Sequence, residues 1–351
     1  LVFVLLFAAR GLAQPAAERS SANDEQLKRL LERFPQADAN RDGVLTQREA
    51  RTYREQLQTQ RKQPPAVERP QPTEADVKYG PHERHVLDFW KAKSDRPTPV
   101  IVFIHGGGFV GGSKNGVSAA LLKKCLDEEI SVASIHYRFV TTDPFPAPQH
   151  DGARAIQFLR HQAKDWNIDP ERIAAYGGSA GAGISLWLAF HEDLADPQSD
   201  DPVLRQSSRV AAVGSFGGQT SYDPHVIEAW IGGRANEHPS VFKCYGVRTL
   251  EELNDPKLQP LYDEVSAIKH LTADDPPVYL AYNEPDRPLP ENAGPGQGIH
   301  HPAFAHHLIA ELKKHDIPYV YRHASEFRGD AHLDMLEFFK KYLVPQEAPA
   351  P

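Results

Sequence analysis

The sequence is poor in cysteine, in basic charge and in long apolar runs, and each shortage excludes something. Two cysteines in 351 residues, Cys125 and Cys244, cannot build the disulfide framework of a small secreted domain. Cys125 falls in an apolar, helix-patterned stretch over 117–129, so two buried thiols are expected, with a single bridge as the alternative. A net charge of −8 without a basic cluster argues against nucleic acid or an anionic membrane as the main partner. The one apolar run at the start, Leu1-Val2-Phe3-Val4-Leu5-Leu6-Phe7-Ala8-Ala9, is too short to span a bilayer and fits the apolar core of a secretory signal. It lacks a basic flank, and no cysteine follows it to carry a lipid. The expectation is a signal peptide over residues 1–17, cleaved near Ala13–Ala17, a secreted or periplasmic protein, and no stable membrane anchor.

Beyond that run, residues 24–56 form a helical piece, with Leu27, Leu30, Leu31 and Phe34 spaced along one helical face. At its centre stands Asp38-Ala39-Asn40-Arg41-Asp42-Gly43-Val44-Leu45-Thr46-Gln47-Arg48-Glu49, which follows the D-x-[DN]-x-[DN]-G-x₅-E pattern of an EF-hand loop. In that pattern Asp38, Asn40 and Asp42 offer side-chain oxygens, Val44 its carbonyl, Thr46 a water-bridged contact and Glu49 both carboxylate oxygens to Ca²⁺. Gly43 permits the sharp turn. Pro35 in the entering helix and the lack of a second hand depart from a paired module. A solvated acidic loop is the competing reading. Pro64, Pro65, Pro70 and Pro72 then mark residues 57–76 as a semi-extended linker.

The main domain is expected over 77–345. Residues 85–90 alternate as an edge strand would, and Val100-Ile101-Val102-Phe103-Ile104 reads as a strand buried on both faces. Further short apolar strands at 131–135, 210–216, 277–282 and 318–322 are interleaved with helical stretches, including 151–163 and 333–343. This rhythm predicts an α/β fold with a mainly parallel, doubly wound sheet flanked by helices. Residues 221–272 carry Trp230, Tyr245 and Leu250 without strand rhythm and are expected to form helices over the sheet, either as packing or as a roof to the site.

Two motifs carry chemistry. Gly177-Gly178-Ser179-Ala180-Gly181 reads G-x-S-x-G between a strand and a helix, the context of a strained turn that exposes a serine. Earlier in the chain, His105-Gly106-Gly107-Gly108 follows the buried strand and bares backbone N–H groups. Such donors, fixed where a carbonyl oxygen becomes an anion, are worth on the order of 3 kcal/mol each. With both motifs in these contexts, residues 77–343 resemble the α/β-hydrolase superfamily, and within it the HGGG-type esterases related to hormone-sensitive lipase and carboxylesterases. The resemblance implies an oxyanion hole from the N–H groups of Gly107, Gly108 and Ala180, and Ser179 as nucleophile.

The superfamily order places an acid and then a histidine after the serine. His332, in Arg328-Gly329-Asp330-Ala331-His332 between the last strand and the last helix, is the expected base, with His323 second. Asp286, after the strand over 277–282, is the expected acid, with Glu284 second. Asn283 in place of a glycine, and the long loop 288–301, depart from the family pattern. The same loop and the helix after it carry His300, His301, His306 and His307, read as solvated or substrate-facing because no cysteine or acidic cluster accompanies them at metal-ligand spacing.

The expected function is serine-dependent hydrolysis of small-molecule or carbohydrate esters with short acyl groups, without a catalytic cofactor and with Ca²⁺ at the EF-hand-like loop. A serine peptidase on the same fold and a non-catalytic, calcium-dependent binding protein are the alternatives.

Overall fold

The computed structural model describes residues 20–60, 68–290 and 292–344. The expected signal peptide lies outside these residues, as do residues 61–67 of the proline-rich segment. The chain divides into two compact units at residues 67 and 68.

In the first unit, α1 (Glu25–Arg33) begins where the Asp24 carboxylate accepts the N–H groups of Gln26 and Leu27, satisfying donors that a helix start leaves open. A second helix, α2 (Gln47–Gln60), follows the acidic loop. Ala37, Leu45 and Ala50 form a small core against Leu27, Leu30, Leu31, Phe34 and Tyr53. The helical spacing of the leucines thus accounts for the packing of this unit.

The second unit is built on an eight-stranded sheet in the order β1-β2-β4-β3-β5-β6-β7-β8. Its strands are β1 (Glu74–Lys78), β2 (Val86–Trp90), β3 (Thr98–Ile104), β4 (Ser131–Ile135), β5 (Ile168–Gly178), β6 (Ala212–Phe216), β7 (Val278–Tyr282) and β8 (Tyr319–His323). Strands β3 to β8 run parallel, whereas β2 is antiparallel to both β1 and β4. Every residue of β4 and β7 is buried, as expected of strands covered on both faces. Around the sheet lie α3 (Ala119–Asp127), α4 (Ala147–His161), the short α5 (Ala163–Trp166), α6 (Ala180–Phe190), α10 (Ala303–Lys314) and α11 (Ala331–Leu343).

Two expectations are corrected. The sheet begins at Glu74, inside the stretch read as linker, because β1 pairs with β2 despite its largely exposed, polar sequence. That pairing also moves the strand at Val86–Trp90 from the sheet edge to its interior, in keeping with its buried Leu87, Phe89 and Trp90. Both cysteines are free and buried, and burial pushes the Cys125 thiol up to about 12. The segment between β6 and β7 forms α7 (Pro224–Ile231), α8 (Pro239–Tyr245) and α9 (Gln259–Val265). Among the described residues no helix is long and apolar enough to cross a membrane.

Candidate active site

The strands β3 and β5 pair in parallel, with Ile104 opposite Gly177, and so place both chemical motifs at the same end of adjacent strands. Ser179 caps α6 with φ 53° and ψ −120°, a backbone region that costs a non-glycine residue about 1–3 kcal/mol. The turn closes only because its neighbours are small: a Cβ at Gly181 would collide with the carbonyl oxygens of Ile104 and His105. The Ser179 N–H donates to the Phe216 carbonyl at 2.9 Å, tying the turn to β6. The serine is thereby held at the strand end with its side chain free for a partner.

The glycine loop is pinned from beneath. His105 stacks on Tyr137 with ring centroids 4.2 Å apart, its Nδ1–H donates to the Gly106 carbonyl at 2.8 Å, and the Tyr137 hydroxyl donates to the His105 carbonyl at 2.8 Å. Burial pushes the His105 imidazole down to about 4. Gly107 and Gly108 have φ of 115° and 59°, values that favour glycine. Gly108 and Ala180 line the same cavity as Ser179. Among the described residues, no hydrogen bond joins the N–H groups of Gly107, Gly108 or Ala180 to a protein acceptor, which leaves them as donors for a ligand oxygen.

The partner of the serine is His300. Its Nε2 lies 2.9 Å from Ser179 Oγ. Its Nδ1 faces Glu284 Oε1 at 3.5 Å, and the same oxygen accepts the His300 backbone N–H at 3.3 Å. Glu284 leaves β7 after Asn283, and the long loop that follows doubles back to deliver His300 just before α10. His301 holds that return in place: its Nε2–H donates to the Arg287 carbonyl at 2.9 Å, and its Nδ1 accepts the Ala303 N–H at 3.0 Å. The Gln219 side-chain amide donates to the Ile299 carbonyl. On the other side, His323 reaches the Glu284 carbonyl through Nε2 at 2.7 Å and Ser325 Oγ through Nδ1 at 2.6 Å.

This arrangement differs from the sequence expectation at two residues. His332 lies at the start of α11, where its ring stacks on Phe216 at 4.3 Å and burial lowers its pKa. It forms part of the wall of the cleft that also holds Ser179, Glu284 and His300, but its ring nitrogen faces Asp330, at 3.8 Å from Nδ1, and not the serine. Asp286 is drawn away by His306, whose Nε2 lies 2.8 Å from Asp286 Oδ2. His300, expected from the sequence to be solvated or substrate-facing, is instead bonded to the serine. The signal that could have found it is the insertion itself, since a long loop leaving the acid-bearing strand can carry the base back to the serine.

Two hollows meet at Ser179. One has a volume of about 50 Å³ and is walled mainly by apolar side chains, among them Phe109, Phe145, Tyr222, Ile227 and Tyr245. The other is open, about 400 Å³, and lined by Phe103, Tyr176 and Phe216 together with Asn283, Glu284, His300 and His332. Residues from α7 and α8 supply much of the small hollow, so the segment between β6 and β7 does roof the site.

At the N-terminal loop, Asp38 accepts the N–H groups of Arg41 at 2.8 Å and Gly43 at 2.9 Å, and Asp42 accepts that of Val44 at 2.8 Å. Asn40 Oδ1 accepts the Asp42 N–H at 3.0 Å, and Gly43 has φ 80°. Glu49 is turned to Thr46, accepting its N–H at 3.0 Å and its hydroxyl at 2.8 Å, and these bonds hold its carboxyl below the usual range. The carboxylates of Asp38, Asp42 and Glu49 do not all gather within 4.8 Å of one another.

The family model BD-FAE matches residues 87–294, more than half of the chain. Carboxylesterase NlhH of Mycobacterium tuberculosis is 30% identical over 179 residues, covering 51% of this chain and 54% of that protein. The probable carboxylic ester hydrolase LipM of the same organism is 25% identical over 221 residues, covering 62% and 49%. The chain thus spans about half the length of these relatives. A truncated carbohydrate esterase from gut microbiota superposes with a TM-score of 0.60 at 20% identity, over 78% of this chain and 96% of that one. The parallel sheet and its flanking helices are therefore those of an α/β hydrolase, and the chain belongs to the BD-FAE family.

Proposed function

We propose that this protein is a serine esterase in which Ser179 attacks the ester carbonyl, His300 takes its proton and Glu284 orients the imidazole. The observation that carries this reading is the 2.9 Å approach of His300 Nε2 to Ser179 Oγ at the tip of a strained turn. A general base must stand within hydrogen-bond reach of the proton it removes, and His300 does. The N–H groups of Gly107, Gly108 and Ala180 would hold the developing oxyanion. The Glu284 contact is long for a hydrogen bond, and such contacts often shorten only when substrate binds.

The two hollows support a placement of the two halves of the ester. His300 must return its proton to the departing alcohol, so the alcohol belongs in the open cleft that His300 lines, and the acyl chain belongs in the small apolar hollow. A cavity of about 150 Å³ accommodates benzene, so about 50 Å³ suits roughly two carbons beyond the carbonyl. The open cleft combines aromatic faces with polar groups, which supports a carbohydrate as the alcohol. The names of the relatives agree in kind, being carboxylesterases and a carbohydrate esterase. An aryl or alkyl fluorophosphonate should form one adduct, on Ser179, and mapping it by peptide mass spectrometry tests the reading. No adduct, or an adduct on another residue, would overturn it.

For the N-terminal loop the proposal is a single Ca²⁺ held by Asp38, Asn40, Asp42, the Val44 carbonyl and Glu49. The all-oxygen donor set and the turn at Gly43 support it, and Glu49 would have to leave Thr46 to join. Calorimetry should show one Ca²⁺ bound by the parent and none by Asp38→Ala. Absence of heat with the parent would refute this proposal.

A further inference from the structure

Away from the nucleophile, His191, Glu264 and His270 each place one metal-competent atom within 4.8 Å of the others, and they are the one such group of three among the described residues. They come from different parts of the fold. His191 ends α6, the helix that starts at Ser179; Glu264 lies on α9; His270 follows the turn after it. All three are partly buried.

The hydrogen bonds around the group fix which ring nitrogens carry protons. His191 Nδ1 lies 2.9 Å from the Glu192 carbonyl, and His270 Nε2 lies 2.7 Å from the Glu264 carbonyl. A carbonyl only accepts, so each of these nitrogens is the N–H of its ring. The lone pairs are then left on His191 Nε2 and His270 Nδ1. His191 Nε2 faces Glu264 Oε1 at 3.4 Å, so a neutral imidazole would set two acceptors against each other. Either a proton or a metal cation relieves that opposition.

The surroundings favour the metal. Imidazoles that ligate metals usually donate their other N–H to a backbone carbonyl, which fixes the ring and its tautomer, and both rings do so here. The Trp187 ring packs against His191 with centroids 4.1 Å apart and a 30° tilt between the rings, and its Nε1–H donates to the Glu264 carbonyl at 2.8 Å. Thus the same carbonyl anchors the indole and the second imidazole. Two imidazoles and a carboxylate are the donors of a borderline divalent cation rather than of Ca²⁺ or Mg²⁺.

We propose that His191, Glu264 and His270 form a binding site for a divalent transition metal of the Zn²⁺ class, which clips the far end of α6 to α9. Water would complete the coordination. Because the site lies at the opposite end of α6 from Ser179, its role is to brace the roof segment and not to take part in ester cleavage.

The test uses the full chain, stripped of metal with a chelator and then saturated with Ca²⁺ to fill the N-terminal loop. Titration with Zn²⁺ should give one bound ion per chain, and an excess of about 100-fold over the dissociation constant should raise the melting temperature by on the order of 5 °C. Co²⁺ should give visible absorption bands of a nitrogen- and oxygen-ligated ion. His191→Ala, His270→Ala and the isosteric Glu264→Gln should each lose the bands and the thermal shift while keeping fluorophosphonate labelling, which reports that the fold survives. A parent that binds no Zn²⁺ would overturn the proposal. Zn²⁺ binding that persists unchanged in the histidine variants would also overturn it, by placing the ion elsewhere.

Discussion

His300 Nε2 stands 2.9 Å from Ser179 Oγ across 121 residues of sequence, while His332, expected to play that part, stacks on Phe216 at 4.3 Å. Both histidines border the same cleft. Only one of them is hydrogen bonded to the serine, so the two have separable consequences for catalysis.

The acid follows the same logic. Glu284 Oε1 lies 3.5 Å from His300 Nδ1, whereas Asp286 is paired with His306 at 2.8 Å. Glu284→Gln should lower kcat by on the order of 10³- to 10⁴-fold, because an amide neither stabilises the imidazolium nor enforces the reactive tautomer. Asp286→Asn should change kcat less than about threefold, as expected for a change to an exposed side-chain hydrogen bond away from the serine. Steady-state kinetics on the two purified variants decides between them, and the reverse ranking would return the acid to Asp286.

Much of the fold is legible in the sequence because the central strands are short, largely apolar runs, several of them next to glycine or proline. Ser131–Ile135 has the same limits in sequence and in structure. The strand β1 was not legible, since Glu74–Lys78 gains its place through backbone pairing with β2 and has little apolar pattern of its own. The serine turn and the glycine loop are likewise local and were readable as motifs. The base was not, because its position depends on how a long loop folds back. That path is set by His301 on Arg287 and by Gln219 on Ile299, contacts that no spacing rule encodes.

Substrate length should follow the small hollow. With about 50 Å³ for the acyl chain, kcat/KM for 4-nitrophenyl esters should be greatest for acetyl to butyryl and fall by more than about tenfold at octanoyl, since overfilling a packed apolar site forces side chains off their preferred rotamers. Assay of the ester series measures this directly. A rate rising steadily to long chains would contradict the assignment of the acyl chain to that hollow.

The glycine loop should make the protein acid-sensitive. His105 is pushed down from 6.5 to about 4 by burial, so the folded state binds the proton more weakly than the unfolded chain. The resulting stability is present above about pH 6.5 and is lost as pH falls toward 4, by on the order of 3 kcal/mol. His105→Phe keeps a ring to stack on Tyr137 and removes this titration. Urea unfolding across that interval should show a smaller loss of stability for the variant than for the parent, and equal slopes would refute this role of His105.

The most direct measurement is a comparison of kcat/KM for His300→Ala and His332→Ala on a short-chain ester. The triad of Ser179, His300 and Glu284 predicts a loss of about 10⁴-fold or more for His300→Ala, and a loss below about tenfold for His332→Ala, with Ser179 still present in both. A large loss with His332→Ala and near-parent activity with His300→Ala would contradict it and make His332 the base.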